Sequence, residues 1–383
     1  MNILFYGGHY WDKGPWFRKQ QFASRLSQRG HVVFYIEGTV SMVRKNLNDN
    51  NSLFKTKVKK INDNLFTITP SCFFPYPNTY FSRELFNNKL FHDIKSILKR
   101  NNIKNYILWT NQPEFSSQHK KIAGIKFFDL ADDAPFYYKL AGDEKRYQLH
   151  SKYLKTAFSS SNFSIVSAKR LKEKYQHYTN KEIIVIPNGH NINTDQTRIS
   201  ETPNELKKIR RPIIGFVGTL FRFIDNSLLE FMISHRPNYS FVFVGKTEDN
   251  FPIEKIKKYP NVFILGPKRK ELILNYINAL DICLNPFKVH EVNDSVSPVK
   301  VFEYLACNKK VVSSYMYSLM QERISKYISF AASYDEFLNI LDQHIQSENF
   351  CNNIPTELLQ SYHWDNLFNE MISKIKKIHG FEL

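Results

Sequence analysis

The first half of the chain alternates short apolar runs with amphipathic segments. The run "NILFYGG" ends in glycines, and "WFRKQQFASRLSQRG" follows it with apolar residues at helical spacing and a glycine stop. A second apolar run, "HVVFYIEG", comes next. Strand, helix and strand in this order predict a parallel sheet with a right-handed crossover. The pattern continues with a helix predicted over residues 82 to 99 and with strands at "NYILWT", "IKFFDL", "FSIVSA" and "EIIVIPNG".

The same alternation restarts in the second half, from "RPIIGFVGT" onward, and ends in the amphipathic segment "NLFNEMISKIKKIHG". The sequence therefore predicts an α/β protein with two Rossmann-like, doubly wound domains, residues 1–190 and 211–355. A polar linker is predicted at 191–210 and a C-terminal helical segment at 356–383. Ligands of open parallel sheets bind beyond the carboxyl ends of the strands, so we expect a site in a cleft where two such edges face each other.

The charge balance narrows the choice of partners. The chain of 383 residues carries 53 Lys and Arg against 36 Asp and Glu, a formal net charge of +17. Such a surplus attracts nucleic acid, an anionic membrane face or phosphate-bearing substrates, unless it is only a solvated basic surface. Zinc-finger spacing and RNA-binding sheet signatures are absent, so we expect no nucleic-acid partner. Near an anionic leaflet each Lys or Arg contributes roughly 1 kcal/mol, which favours a membrane surface.

The sequence shows no sign of membrane insertion or secretion. It has no run of eighteen apolar residues, and "MNILFYGGHYWDKG" does not resemble a signal peptide. The four cysteines, Cys72, Cys283, Cys307 and Cys351, lie far apart without metal or disulfide spacing. We expect a cytoplasmic protein, either free or peripheral on the inner face of the plasma membrane.

The stretch "SPVKVFEYLACNKKVVSS", residues 297–314, concentrates the candidate chemistry. Pro298 suits the first turn of a helix, and Ser297 before it is a candidate cap. The free N–H groups and the dipole of such a helix start, together with Lys300, predict a diphosphate site. Glu303, one turn on, is an acceptor for two ribose hydroxyls. The alternative is an ordinary surface helix with a Lys/Glu pair at i, i+3 spacing.

This stretch resembles the donor-site motif of GT-B glycosyltransferases, especially the family 4 relatives of teichuronic acid and other bacterial polysaccharide enzymes. The segments "IIGFVGTLFRFIDNSLLEFM" and "NVFILGPKRKELILNYINALDICLNPF" are similar to the family in the same order. The resemblance implies a GT-B fold whose C-terminal helix crosses back to the first domain, and a transferase without metal or cofactor other than its nucleotide-sugar substrate. It also implies that Glu303 holds the donor ribose and Lys300 the diphosphate. The remaining implied donor-site residues are Gly7, Gly8, Gly218, Thr219, Ser297 and Pro298.

Three positions depart from the family motif: Ser295 where the family has an acid, Asn308 where it has glycine and Lys310 where it has proline. The family has two glutamates separated by seven residues, and counting back from Glu303 to the first of them lands on Ser295. We expect Asn293 or Asp294 to take over its contact with the sugar. Asn308 replaces a glycine, and asparagine tolerates the left-handed conformation needed there. Arg222 and Lys246 follow strands of the second domain, and we expect them to reach the phosphates or the base.

The first domain offers candidates on the acceptor side. In "FFDLADDAPFYY", Asp129, Asp132 and Asp133 follow a buried strand, and Asp132 or Asp133 is a general base, a cap of the next segment or a ligand of acceptor hydroxyls. His9 lies in the loop after the first strand and is either catalytic or structural. Trp11 and Arg18 in the same region are expected to contact sugar and phosphate. The aromatic segment at residues 72–81 is an acceptor loop, a lipid-facing patch or buried packing.

Together these features predict a glycosyltransferase. It would move a sugar from a nucleoside diphosphate sugar, by default a UDP-sugar, to a hydroxyl of a bacterial surface polysaccharide or a lipid-linked oligosaccharide. One alternative is a nucleotide-sugar 2-epimerase on the same fold, which needs a further acid pair. The other is a non-catalytic protein that binds nucleotide sugars or polyanions.

Overall fold

The computed structural model describes residues 1–14, 16–38, 56–71, 80–193, 201–347 and 350–383. The chain divides into two compact units. Unit 1 comprises Met1–Ile186 and Phe368–Leu383, and unit 2 comprises Pro187–Leu367. The chain thus changes unit a few residues before the linker predicted at 191–210, and Leu206 of that segment is buried in the core of unit 2. Apart from Tyr80 and Phe81, the aromatic segment at 72–81 lies outside the described residues.

Unit 1 contains an eight-stranded sheet in the order β3-β4-β2-β1-β5-β6-β7-β8. All neighbouring strands are parallel except β3, which pairs antiparallel with β4 at one edge. The central strands β1, β5 and β6 are buried over almost their whole length, as expected for parallel strands covered on both faces. The strands are β1 (Asn2–Tyr6), β2 (Val32–Ile36), β3 (Lys57–Asn62), β4 (Leu65–Thr69), β5 (Ile107–Thr110), β6 (Lys126–Leu130), β7 (Phe163–Val166) and β8 (Ile183–Val185).

The helices of unit 1 connect these strands. They are Arg18–Gln28, Tyr80–Arg100, Ala134–Leu140, Glu144–Ser160 and Lys169–Tyr175, with 3₁₀ segments at Pro113–Lys121 and Gln176–Tyr178. The helix predicted over residues 82 to 99 is confirmed with slightly wider bounds. No helix in the described ranges is both long enough and apolar enough to cross a membrane.

A row of aromatic rings runs across one face of this sheet. Neighbouring strands place five rings side by side, with centroids 5.7, 5.5, 4.7 and 4.6 Å apart. Such offset contacts add to the burial of large apolar surfaces. The rings belong to Tyr35, Phe5, Trp109, Phe127 and Phe163.

The C-terminal segment covers this aromatic face. The last helix, Trp364–His379, brings Phe368 against Phe22, with ring centroids 5.9 Å apart. Phe381 beyond the helix contacts both Phe127 and Phe163. The expected return of the C-terminal helix to the first domain is therefore confirmed, and the driving force is burial of aromatic surface.

Unit 2 contains a six-stranded, fully parallel sheet in the order β11-β10-β9-β12-β13-β14. Its strands are β9 (Ile213–Val217), β10 (Ser240–Val244), β11 (Val262–Gly266), β12 (Ile282–Asn285), β13 (Lys310–Ser314) and β14 (Ile328–Ala331). Its helices are Asn204–Lys207, Asn226–His235, Glu254–Lys257, Ile273–Ala279, Val299–Ala306, Tyr317–Met320, Tyr334–Gln346 and Thr356–Ser361, with 3₁₀ segments at Lys270–Leu272, Asn293–Ser295 and Ser325–Tyr327.

A buried tyrosine fastens the Val299–Ala306 helix to the centre of this sheet. Tyr304 is completely buried, and its hydroxyl accepts a hydrogen bond from the backbone N–H of Val217 at 2.8 Å. Burial raises the pKa of this hydroxyl well above its ordinary value. Because Val217 ends the central strand β9, this bond sets the height of the helix over the sheet.

A buried ion pair joins the first helix of unit 1 to its sheet. Arg18 and Asp129 are 3% and 0% exposed, and Arg18 Nε donates to Asp129 Oδ1 at 2.9 Å. Arg18 Nη1 also donates to the carbonyl of Ile186, and Asn111 Nδ2 donates to Asp129 Oδ2. The expectation that Arg18 reaches a phosphate, and that Asp129 belongs to an acceptor site, is therefore wrong. Both charges are paired with each other inside the fold.

The ion pair gives a stability prediction. Asp129→Ala leaves the Arg18 guanidinium buried without its counter-charge, and we expect the free energy of unfolding of unit 1 to fall by about 3–5 kcal/mol. Urea unfolding followed by aromatic fluorescence measures this. The control is Asp63→Ala, which removes the exposed pair with Lys60 and should leave unfolding unchanged. Equal effects of the two substitutions would contradict the assignment.

Candidate functional site

The carboxyl edge of the unit 2 sheet carries the predicted donor residues on loops that hydrogen-bond to each other. Gly218, just after β9, donates its N–H to Val244 at the end of β10. Two residues later, the Leu220 N–H donates to the carbonyl of Lys246. These bonds hold the loops after β9 and β10 together, so that the exposed Thr219 and Lys246 belong to one surface.

Two glycines allow this close approach. A Cβ on Gly245 would lie 2.0 Å from the carbonyl oxygen of Gly218, and Gly245 has a φ of +142°. Only glycine fits such a position, because the backbone conformation and the space both exclude a side chain. Gly218 therefore lies in a backbone turn at the carboxyl edge of the sheet, as the sequence predicts.

A third loop joins the same edge. After β12, the carbonyl of Pro286 accepts from the Asp225 N–H, and the Lys288 N–H donates to Phe223. The exposed Arg222 lies in the loop after β9, with its guanidinium 4.7 Å from the ring centre of Phe223. The chain then runs from Lys288 to the helix that begins after Pro298.

The start of the Val299–Ala306 helix differs from the expectation in one respect. Pro298 is the cap residue, and the Ser297 side chain does not cap the helix. The Ser297 hydroxyl instead accepts from the backbone N–H of Asn188 at 2.9 Å, and Asn188 Nδ2 donates to the Ser297 carbonyl at 2.7 Å. The capping role of Ser297 is therefore wrong, because its hydroxyl is already used to hold the start of unit 2 against the helix.

Lys300 and Glu303 form a pair on the first turns of this helix. Lys300 Nζ donates to Glu303 Oε2 at 2.8 Å, and their side chains are 34% and 23% exposed. This is the i, i+3 pair that we gave as the alternative. The ammonium group has three N–H donors, so it can also bind a phosphate oxygen while it keeps this contact.

Asn293 and Asp294 both brace the loop before the helix. Asn293 is buried, and its Nδ2 donates to the Lys288 carbonyl at 2.6 Å. Asp294 Oδ1 accepts from the backbone N–H of Tyr317 at the start of another helix. Ser295, where the family motif has an acid, is only 2% exposed. Their expected contact with the sugar stays a prediction, and it would compete with these structural bonds.

The turn after the Val299–Ala306 helix has the left-handed conformation that the sequence predicts. Asn308 has a φ of +58°, in the left-handed region. Asparagine adopts this conformation more readily than most residues, so it can replace the glycine of the family motif. The next residue, Lys309, donates to the carbonyls of Asn278 and Leu280 and closes the C-terminal end of a neighbouring helix.

In unit 1, the turn after β1 is built from Gly7 and Gly8. A Cβ on Gly7 would lie 2.2 Å from the hydroxyl of Tyr35, and Gly8 has a φ of +72°. The N–H groups of both glycines point at the carbonyl of Ile36. Trp11, which we expected to stack on sugars, is 5% exposed and packs against Tyr35, so that expectation is wrong.

His9 and Lys19 form a hydrogen-bonded pair beside this turn. Lys19 Nζ lies 2.8 Å from His9 Nδ1. Burial, and then the positive charge of Lys19, lower the pKa of His9 to about 4. The imidazole is therefore neutral near pH 7, and the ammonium group occupies Nδ1. His9 cannot act as a base through that nitrogen while Lys19 is protonated.

Lys19 connects His9 to the carboxylates of the "DLADD" segment. Burial lowers the pKa of Lys19 to about 8, and the charges of Asp132 and Asp129 oppose this shift. Desolvation raises the pKa of Asp132, although its side chain still reaches solvent, and Lys19 partly offsets the increase. Asp132 is thus a carboxylate whose basicity is raised while it remains accessible.

Asp133 has a structural role instead. It is 2% exposed, caps the Ala134–Leu140 helix, and accepts hydrogen bonds from Lys174 Nζ at 2.6 Å and Tyr175 at 2.5 Å. Of the roles considered for Asp132 and Asp133, capping holds for Asp133, whose oxygens already accept hydrogen bonds. Only Asp132 remains available as a general base.

The sequence interpretation missed Lys19, Asn188 and Tyr304. One signal was present for Lys19: two cations, Arg18 and Lys19, open a helix whose first turn has no acid. Cations at a helix N-terminus are unfavourable unless nearby carboxylates compensate, so this placement indicates buried acids. Asn188 and Tyr304 gave no comparable signal, because their partners are far away in sequence. Among the described residues, no group of three or more His, Cys, Asp or Glu could hold a metal ion.

The architecture of two Rossmann-like units defines the GT-B fold, and solved structures share it. Sucrose-phosphate synthase from Thermosynechococcus elongatus superimposes with a TM-score of 0.74, at 14% identity over 99% of both chains. A trehalose-6-phosphate structure from E. coli bound with UDP-2-fluoro glucose gives 0.66, at 13% identity over 99% of both chains. A glycosyltransferase from Rickettsia africae gives 0.62, at 16% identity over 98% of both chains. The expected fold class is confirmed.

The match found by sequence covers less of the chain than the structural matches do. No family model matches the chain. A curated protein of Bacillus subtilis (strain 168), provisionally named teichuronic acid biosynthesis glycosyltransferase TuaH, is 29% identical over 104 residues. The match covers 27% of this chain and 26% of that protein, so it spans about a quarter of the length of the curated relative.

The His9–Lys19 pair gives a titration prediction. Lys19→Met removes the nearby positive charge, and we expect the pKa of His9 to rise from about 4 part of the way toward its ordinary 6.5. Histidine NMR shifts followed against pH measure this. His119, whose pKa of about 4 comes from burial beside Lys126, is the control in the same spectra and should not move. An unchanged His9 would mean that burial alone sets its pKa.

Proposed function

We propose that the protein is a glycosyltransferase that moves a sugar from a nucleoside diphosphate sugar to an acceptor hydroxyl. The observation that carries this proposal is the helix start at Val299, with Lys300 and Glu303 on its first turns, at the carboxyl edge of the unit 2 sheet. Ligands of parallel sheets bind at this edge, and a helix start there favours anions. The GT-B fold supports the same reaction class.

The diphosphate is bound by the helix start and Lys300. The first N–H groups of a helix have no partners within it, and they add to the charge of Lys300. The backbone at Gly218 is free of a side chain, so Thr219 and its neighbours can approach the phosphates. The exposed Lys246 and Arg222, on the joined loops, provide further positive charge for the phosphates or the base.

Glu303 accepts hydrogen bonds from the ribose hydroxyls. Its carboxylate has two oxygens, of which Oε2 contacts Lys300 in the absence of a ligand. The other oxygen remains for a hydroxyl donor, and charged acceptors make the stronger hydrogen bonds. UDP is the proposed nucleotide. The trehalose-6-phosphate structure bound with UDP-2-fluoro glucose supports this choice, since it has the same fold.

The reaction proceeds without a metal ion in this proposal. Breaking the glycosidic bond to the diphosphate places negative charge on the leaving group. The helix start and Lys300 are preorganised to stabilise that charge, and this electrostatic contribution is usually the largest in catalysis. In unit 1, Asp132 takes the proton of the acceptor hydroxyl, because its raised pKa makes it a stronger base. His9, neutral beside Lys19, serves as a hydrogen-bonding group.

The proposed acceptor is a bacterial surface polysaccharide or a lipid-linked oligosaccharide. The support is the short match to a protein named for teichuronic acid biosynthesis. The net charge of +17 suits an acceptor that carries phosphate or lies at an anionic membrane surface.

The donor site is tested with Lys300→Ala. We expect kcat/KM to fall by roughly 10²–10³, because an oriented charge that stabilises the leaving group is lost. Release of UDP from UDP-sugars in the presence of acceptor measures the rate. The matched control is Lys257→Ala, which breaks an i, i+3 pair with Glu254 on another helix of unit 2. Full activity of the Lys300 variant would refute the site.

The ribose contact is tested with Glu303→Gln. The wild-type protein should bind UDP more tightly than 2′,3′-dideoxy-UDP by roughly tenfold to a hundredfold, since a hydrogen bond to a charged group is lost. In the variant we expect this preference to disappear, with UDP affinity falling to that of the analogue. Calorimetric titration measures both affinities. A preference that survives the substitution places the ribose elsewhere.

Substitution of the adjacent Asp132 and Asp133 should distinguish their roles. For Asp132→Asn we expect kcat to fall by roughly 10²–10⁴ with unchanged thermal unfolding. For Asp133→Asn we expect the free energy of unfolding to fall by about 1–3 kcal/mol, because a helix cap and two buried hydrogen bonds are weakened. Turnover and thermal melts of both variants are compared. A stable, inactive Asp133 variant beside an active Asp132 variant would reverse the assignment.

A further inference from the structure

One face of unit 1 has unpaired lysines next to exposed aromatic and aliphatic side chains. On the Glu144–Ser160 helix, Lys145, Lys152 and Lys155 are all exposed. Their spacing of seven and three residues places them on one side of the helix. Within the described part of the chain, none of the three forms an ion pair with a carboxylate.

The few acids nearby are engaged elsewhere. Asp143 pairs with Arg146, and Glu144 accepts a hydrogen bond from Gln148. Surface helices commonly alternate lysine with glutamate, because i, i+4 pairs stabilise them. The exposed residues on the lysine side of this helix include no acid, and Glu84 and Glu114, which lie near Tyr153, form no ion pair with the three lysines in the ranges that the structure describes.

The first turn of another helix lies against Lys152 and Tyr153. The ring of Tyr80 stacks on Tyr153, with centroids 6.2 Å apart, and Lys152 Nζ lies 5.8 Å from the centre of the Tyr80 ring. Phe81 and Leu85 follow on the Tyr80–Arg100 helix. Tyr80, Phe81 and Leu85 are 51%, 71% and 39% exposed. Large apolar side chains are therefore exposed on a helix whose first residue contacts Lys152.

We propose that this surface docks the protein on an anionic lipid membrane. We name it the lysine–aromatic face and define it by Lys145, Lys152, Lys155, Tyr80, Phe81 and Leu85. Lysines attract the negative surface potential of a leaflet, and their long stems let the ammonium groups reach the headgroups. Phenylalanine and leucine enter the boundary between headgroups and acyl chains.

The apolar residues favour a membrane over nucleic acid. Nucleic-acid surfaces use lysine and arginine for phosphates and aromatic rings for bases, but an aliphatic side chain such as Leu85 has no partner there. A bilayer interacts favourably with both the charges and the apolar side chains. The proposal extends the proposed function, because a lipid-linked acceptor is presented at such a surface. Vesicle binding is measured without donor or acceptor, so it succeeds or fails independently of sugar transfer.

The test is co-sedimentation of the full chain with vesicles. We expect binding to vesicles of phosphatidylcholine mixed with phosphatidylglycerol, little binding to phosphatidylcholine alone, and weakening with added salt. The triple variant Lys145→Ala, Lys152→Ala, Lys155→Ala should bind the anionic vesicles roughly tenfold to a hundredfold more weakly. Equal binding to both kinds of vesicle would overturn the proposal.

A charge-matched control separates this face from the general positive charge of the chain. Lys207, Lys208 and Lys255 are exposed lysines of unit 2. Their triple alanine variant changes the net charge by the same amount and should bind like the wild type. If it loses as much binding as the first triple variant, diffuse charge explains the attraction and the lysine–aromatic face is not a docking surface.

The apolar part is tested separately. Phe81→Ser with Leu85→Ser leaves the charge unchanged and should remove the binding that persists at high salt. All these side chains are exposed, so thermal melts should match the wild type and show that the variants are folded. Loss of oligonucleotide binding in the lysine triple variant, with vesicle binding intact, would assign the face to nucleic acid instead.

Discussion

Parallel pairing of the strands is the constraint on which the rest of the structure depends. In a parallel sheet every strand ends at the same edge, so the loops that leave the strands are brought together however far apart they are in sequence. In unit 2 this places the ends of β9, β10 and β12 side by side, where their loops exchange backbone hydrogen bonds. The donor candidates of unit 2 all lie on or next to these loops. Pairing thus converts a scattered set of residues into one surface.

The helix that carries Lys300 and Glu303 is held on this surface from two directions. Tyr304 fastens it from within the core, through its hydroxyl and the end of β9. Asn188 holds the residue before the helix through two hydrogen bonds to Ser297. Neither residue needs to contact a ligand in order to contribute to the site. A charge can stabilise a leaving group only if it is already in position, and these bonds provide that positioning.

Three aspartates within five residues have three different roles in unit 1. Asp129 neutralises a buried arginine, Asp133 caps a helix and binds Lys174 and Tyr175, and Asp132 keeps contact with solvent beside Lys19. The differences follow from direction and burial and not from residue type. Alternate residues of a strand and its following turn point to different sides, so neighbouring carboxylates meet different surroundings.

The sequence by itself determined the two α/β units, the order of most strands and helices and the helix start with Lys300 and Glu303. These depend on local periodicity, on proline and glycine positions and on apolar runs, all of which are written in short segments. It also anticipated the left-handed turn at Asn308. What only the tertiary structure decided was the partner of each polar side chain. Arg18 pairs with Asp129, which is 111 residues away in sequence, and the Ser297 hydroxyl accepts a hydrogen bond from Asn188, which is 109 residues away. Lys19 reaches His9 only because a glycine turn brings them together. No local pattern encodes such pairs, since the contacts exist only after distant segments have packed.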